Sequence, residues 1–238
     1  MIDKLHLMGV TDPMITSVVL SLVIIIATFV ATRRMEMIPR AYGMQNIAEI
    51  SVGKLHSFFL DVMGEYACKK YFPLIATLFI YILFCNYSGL LPFAGKLPGF
   101  QAPTSSINFP AGMAIMVFII VQAIGIIHAR GLRFYKHLLT PVAFLLPLNI
   151  LDEFIRPLTL TLRLYGNTYG DEQVIDVLFE MIPIGLPVVM QIFVVLLALI
   201  QALVFALLTA IYIGQALEGA EHVTGKHFTL DGPVDICH

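Results

Sequence analysis

The chain has 238 residues, of which 58% are hydrophobic and only 13% charged. Soluble domains hold about 45–50% apolar and about 25% charged residues, so this balance excludes an ordinary soluble domain and indicates an integral membrane protein. A net charge of −2 leaves no basic footprint for nucleic acid.

The three cysteines are odd in number and widely spaced, and the seven histidines contain no pair at H-x-x-x-H spacing. No disulfide framework, metal site or cofactor is expected from them. The first apolar run, 14–32, is close to spanning length and closes on Arg33, Arg34 and Arg40. That flank is a stop-transfer pattern with no small-residue cleavage site, so the run reads as a first transmembrane helix and not as a signal peptide. An Arg- and Ser-rich transit segment is also missing, which points to a bacterial protein or one made inside an organelle. The positive charges put the C-terminal end of this helix in the cytoplasm and the N-terminus outside.

Residues 41–67 alternate apolar side chains (Ala48, Ile50, Val52, Leu55, Phe58, Phe59) with Glu49, Lys54, His56, Asp61 and Glu65. This pattern predicts an amphipathic helix at the membrane interface or against partner helices. A second span, 72–91, follows Lys69 and Lys70 and runs outward. The loop from Pro92 to Pro110 is rich in glycine and proline and holds one lysine, Lys96, which fits an outside location. A third span, 111–127, returns to a basic cluster of His128, Arg130, Arg133, Lys136 and His137.

The second half departs from simple spans. Residues 138–182 are apolar but interrupted by Pro141, Pro147, Asp152, Glu153, Arg156, Arg163, Asp171, Glu172, Asp176 and Glu180. Lipid does not tolerate such charges, so this helix must face protein or water. After a turn at Pro183, Gly185 and Pro187 comes a charge-free stretch, 188–217. At ~1.5 Å per residue it is roughly 45 Å long, against a hydrocarbon core of about 30 Å. Confinement to that core requires a tilt near ~48°, well above the usual ~20°. The chain therefore reads as one all-α integral membrane domain, 1–238. It has five membrane-crossing helices, two of them (138–182 and 188–217) forming a long, strongly inclined C-terminal hairpin. An interfacial amphipathic helix (41–67) and a cytoplasmic tail (218–238) complete it.

Arg163 carries the strongest chemical signal. A guanidinium stays charged at cellular pH, and placing it near the bilayer centre costs between about 2.5 and 17 kcal/mol depending on how it is relieved. No carboxylate lies three or four residues away on its helix to pair with it. Asn167 follows at i+4 and Asp171 at i+8 on the same face, with Arg156 two turns earlier. Glu172, nine residues on, lies about 13 Å along the helix and nominally on the opposite side. Asp152, Glu153 and Arg156 read as a salt-bridged helix start, and Asp176 with Glu180 as an outer rim. Gln191 and Gln201 interrupt the last helix without adding charge. A fixed cation lacking a local acid suits acids that come from another chain and move past it.

Several stretches together resemble a known family. They are Arg156-Pro-Leu-Thr-Leu-Thr-Leu-Arg163-Leu-Tyr-Gly-Asn167 with Gly170-Asp-Glu172, Asn86-Tyr-Ser-Gly-Leu-Leu-Pro92, Pro103-Thr-Ser-Ser-Ile-Asn108, and Gln201-Ala-Leu-Val-Phe-Ala-Leu-Leu-Thr-Ala-Ile-Tyr212. The chain resembles subunit a of the rotary F-type ATP synthase, over most of its length beyond residue 70. The resemblance implies a stator ion channel without a catalytic site. It implies two half-channels that carry protons to and from the carboxylates of a c-subunit ring, with Arg163 as the essential gate against leak. Asn167, Asp171, Glu172 and Gln201 then belong to the ion path. Where some members carry a titratable residue seven places before the glutamine, this chain has Val194. Implied partners are the c-ring, the peripheral-stalk b subunits, the rest of the complex and the bilayer. The implied location is the bacterial plasma membrane, with an organelle-encoded mitochondrial protein as the alternative. Against this stand a self-contained ion-coupled secondary transporter, which would show matching broken repeats, and an intramembrane enzyme, which would show a ligand pair or a nucleophile with its base. Neither pattern is visible.

Overall fold

In the computed structural model of the protein, residues 12–33, 44–89, 103–129, 146–181, 185–224, 226–229 and 232–235 are described. Among them are six α-helices: α1 (Asp12–Arg33), α2 (Met44–Met63), α3 (Glu65–Gly89), α4 (Asn108–His128), α5 (Leu146–Met181) and α6 (Leu186–Thr224). A 3-10 turn at Pro103–Ser105 precedes α4, and an antiparallel pair, β1 (Lys226–Thr229) with β2 (Gly232–Asp235), follows α6. Three helices are long and apolar enough to cross a membrane: α3, α4 and the Val188–Glu221 part of α6.

Several expected features lie outside the described residues. They are Arg34 and Arg40, the loop at 92–102, the basic group Arg130, Arg133, Lys136 and His137, residues 138–145, and the side chains of Asp152, Asp176 and Glu180.

Helix α6 is the centre of the packing, in contact with α2, α3, α4 and α5. Its inward stripe is built of small residues at helical spacing: Ala198, Ala202, Ala206, Ala210, Ala216 and Ala220, all at most 7% exposed. In a bilayer there is little hydrophobic drive between helices, so close backbone approach over small side chains supplies the packing. Phe205 and Ile213 fill the spaces between these alanines against Ile75, Leu78 and Ile82 of α3 and Val117, Val121 and Ile124 of α4. Packing of Ala216, Leu217 and Ala220 carries the helix past Glu218 and Glu221 to Thr224.

Residues 44–89 form two helices with a corner between them. Gly64 stands at the break with φ +76°, and its N–H donates to the Leu60 carbonyl at 3.0 Å. This is a left-handed helix end, a conformation that glycine adopts without a Cβ penalty. Helix α2 buries Phe59 and Met63 and leaves Ile50, Val52, Phe58, Leu60 and Val62 exposed. Helix α3 starts at Glu65 and runs through Lys69 and Lys70, which are exposed while Ala67 and Cys68 are buried.

Two helices contain an internal proline, Pro73 in α3 and Pro157 in α5. Proline removes one N–H from the ladder. Four residues later in each case, a threonine hydroxyl donates to the proline carbonyl, Thr77 at 2.7 Å and Thr161 at 2.8 Å. Helix α1 is held to α3 by the Ser21 and Tyr81 hydroxyls at 3.0 Å and otherwise turns Val18, Leu22, Ile25, Ile26 and Phe29 outward. Such outward apolar side chains recur on α4, α5 and α6, as expected where the solvent is lipid.

Candidate functional site

A side-chain hydrogen bond joins helices α5 and α6 across their middle. Asn167 Nδ2 donates to Gln201 Oε1 at 2.8 Å. Gln201 is only 5% exposed, and its amide nitrogen, Nε2, is buried with no hydrogen-bond partner among the described residues. Asn86, near the end of α3, is 6% exposed and its Oδ1 is likewise buried and without a partner among them. Carboxamides left incompletely bonded in an apolar interior are costly, so their presence marks a place built for a polar guest.

Both amides line the same cleft between α3, α5 and α6, with an internal volume of about 40 Å³. Asn167, Thr168, Asp171 and Glu172 supply its polar wall from α5, while Val194, Leu197 and Ala198 supply an apolar wall from α6. Asp171 and Glu172 are adjacent in sequence and both half-buried, so two carboxyl-bearing residues line one partly open space. The cavity holds donors, acceptors and titratable groups, which is what a water-filled proton path needs. Gly166 and Gly170 lie within the continuous helix α5, and a Cβ at either would meet open space.

Arg163 is not part of this cavity wall. It lies one helical turn before Asn167 and is exposed on the outer face of the chain. Among the described residues it forms no hydrogen bond or ion pair; the ion pair on its helix joins Arg156 to Glu153 at 3.9 Å. Exposed Leu158 and Leu162 neighbour it on α5, and Ile200, beside Gln201, is exposed on α6. A lone guanidinium on an apolar outer face thus sits next to a polar cavity on the inner side, with Asn167 between them.

Five residues singled out from the sequence therefore fall into two places. Asn167, Asp171, Glu172 and Gln201 line the cavity, and Arg163 stands outside it. Val194 is also in the wall, so the cavity surface is apolar where a titratable group would complete a pair with Glu172. Sequence reasoning had not singled out Asn86 or Thr168. The signal for Asn86 was present: it is a carboxamide near the end of an otherwise apolar span, and such a residue rarely faces lipid. Gln191 is half-buried further toward the start of α6 and is not in the wall. Among the described residues no group of His, Cys, Asp or Glu is placed to hold a metal ion.

Comparison with known proteins matches residues 14–214 to the family model described as ATP synthase A chain. ATP synthase subunit a 1 of Pelobacter propionicus is 38% identical over 225 residues, covering 92% of this chain and 94% of that protein. ATP synthase subunit a of Moorella thermoacetica is 37% identical over 202 residues, covering 84% of this chain and 88% of that protein. ATP synthase subunit a of Geobacter sp. strain M21 is 38% identical over 226 residues, covering 92% and 94%. A membrane protein whose match runs from its first apolar helix to the far part of its last, this chain belongs to the ATP synthase subunit a family.

Proposed function

We propose that the chain is the stator ion channel of an F-type ATP synthase, with no catalytic site of its own. The observation that carries this reading is the separation between Arg163 and the cavity. Arg163 is exposed, bears a permanent charge and has no acid partner among the described residues, whereas Asp171 and Glu172 line a cleft a little over two turns away. In this arrangement the c-subunit ring lies against the outer face of α5 and α6. Each ring carboxylate passes Arg163 in its ionised form, because the guanidinium stabilises the charged state and opposes neutral passage.

The cavity lined by Asn86, Asn167, Asp171, Glu172 and Gln201 is the half-channel on one side of the membrane. Protons reach the ring through it by way of the carboxyl groups and bridging water. A second half-channel opens to the other side, and Arg163 divides the two, so an ion crosses only when the ring turns. With Val194 in the wall, Asp171 and water complete the path beside Glu172.

The helix lengths support an inclined hairpin. The charge-free part of α6 is 188–217. That length is about 45 Å, so keeping it inside about 30 Å of hydrocarbon requires a tilt near ~48°. The chain resides in a bacterial plasma membrane, N-terminus outside and C-terminus in the cytoplasm, and works with peripheral-stalk b subunits.

The test is Arg163→Ala in everted vesicles carrying the whole complex, read as ATP-driven acidification. Loss of pumping with the complex still assembled is the expected result; undiminished pumping overturns the reading.

A further inference from the structure

Helix α5 carries two cationic side chains, Arg156 and Arg163, seven residues apart. Seven residues return a helix to nearly the same face, about 10.5 Å further along the axis. The structure treats the two in opposite ways. Arg163 is exposed and forms no hydrogen bond or ion pair among the described residues, whereas Arg156 is turned into the groove between α4, α5 and α6.

There Arg156 is held on two sides. Its guanidinium lies over the Tyr212 ring of α6, 5.0 Å from the centroid, and its Nη1 is 3.9 Å from Glu153 Oε2. Glu153 is in turn fixed from the neighbouring helix, because Gln122 Nε2 of α4 donates to its Oε1. Gln122 is the only side chain between Ala111 and Ile127 that bears a hydrogen-bonding group. Its own Oε1 is buried and has no hydrogen-bond partner among the described residues. An isolated amide in an apolar helix, spent on one carboxylate, is a costly placement for a purely local bond. The whole set borders a small apolar cleft of about 10 Å³ with Val117, Val121 and Leu160 in its wall.

We propose that Glu153, held by Gln122, is a charge-masking residue that leaves Arg163 as the only bare cation of α5. An unmasked guanidinium at this distance in a low-dielectric region would act on the same ring carboxylates and on the protons moving to and from them. It would stabilise the ionised carboxylate and repel the incoming proton, delaying neutralisation after each step past Arg163. Pairing with Glu153 reduces that field to a short dipole. The inference rests on the reading of Arg163 as the divider that faces the ring. Glu153 touches no reacting group and acts only through Arg156.

The experiment uses everted vesicles with the complete complex. ATP-driven acidification is measured per assembled complex for Glu153→Gln, Glu153→Gln with Arg156→Gln, and Arg163→Ala. Glu153→Gln is expected to lower pumping by about threefold to tenfold. Adding Arg156→Gln is expected to restore at least half of the loss, because the exposed cation is then removed. A structural role for Glu153 predicts the opposite, since the double variant loses both partners and remains as impaired as the single. Unchanged pumping in Glu153→Gln, or no recovery in the double variant, overturns the proposal. Should Glu153→Gln fail to assemble, Gln122→Leu removes the hold on the Glu153 carboxylate while keeping both charged residues, and a loss of pumping with the same recovery by Arg156→Gln is required. Persistent pumping in Arg163→Ala overturns the divider reading itself, whatever the Glu153 variants do.

Discussion

Asn167 Nδ2 donates to Gln201 Oε1 at 2.8 Å, and this bond ties α5 to α6 one helical turn from Arg163. Interhelical hydrogen bonds inside membranes contribute about 0.6 kcal/mol on average and up to ~1.7 kcal/mol. The bond is therefore a modest source of stability and a strong constraint on register. It fixes how the outer face bearing Arg163 is set relative to the cavity. A double-mutant cycle of Asn167→Ala and Gln201→Ala, read by thermal unfolding in detergent, is expected to give a coupling of about 1 kcal/mol. Coupling near zero would mean that the two amides are not bonded.

The cavity makes a prediction about access. Ile175 lies in its wall, whereas Leu164 is fully buried in the helix packing. In a background without native cysteines, Ile175→Cys is expected to react with a small charged thiol reagent at least about tenfold faster than Leu164→Cys, because the attacking nucleophile is the thiolate, which needs water around it to form. Equal rates at the two positions would show that the cavity is dry.

Membrane class and long helices were legible in this sequence because they rest on composition and on the absence of charge, both additive along the chain. The anomalies of the last two helices were legible for the same reason, since each helix is too long or too charged for an upright span. What the residues could not reveal was decided by packing. The corner at Gly64 was hidden because the amphipathic pattern continues across it, and only the positive φ there shows that the chain turns. Helix α6 passes Glu218 because Ala216, Leu217 and Ala220 are covered by neighbouring helices.

The site was legible in part. Spacing put Asn167 and Asp171 on the face of Arg163 and Glu172 on the far side of α5, whereas in the structure all three line one cleft and Arg163 stands outside its wall. Asn86 comes from a helix far away in sequence, so no local spacing could have joined it to Gln201. The contact between Gln122 and Glu153 was hidden for the same reason.

Two carboxyl groups on one cavity raise the question of which relays protons. Asp171→Asn and Glu172→Gln keep size and hydrogen bonding while removing titration. Each single change is expected to reduce ATP-driven pumping by about tenfold, and the double change to abolish it, because loss of a positioned proton carrier typically costs about 10²-fold or more when no substitute is near. Full activity in the double variant would show that the path bypasses both groups.

The alanine stripe of α6 makes a stability prediction. Ala206 is fully buried against neighbouring helices, with no exposed area to absorb a larger side chain. Ala206→Leu is expected to destabilise the chain by about 1–3 kcal/mol through overpacking, read as a lower unfolding midpoint and less assembled complex. An outward substitution of similar size change, at exposed Gln215, is expected to leave both unchanged.

The corner between α2 and α3 isolates backbone from packing. A Cβ at Gly64 would meet nothing within 4 Å, so a substitution there brings no steric clash with its neighbours. The φ of +76° alone disfavours an L-residue, by about 1–2 kcal/mol. Gly64→Ala is expected to lower the unfolding free energy by about that amount. Gly64→Asn should cost less, since its short polar side chain makes local hydrogen bonds in the left-handed region. If Ala and Asn were equally harmless, the turn at residue 64 would have relaxed to another conformation. If both were severely destabilising, the corner would be packed against a neighbour that a Cβ cannot avoid.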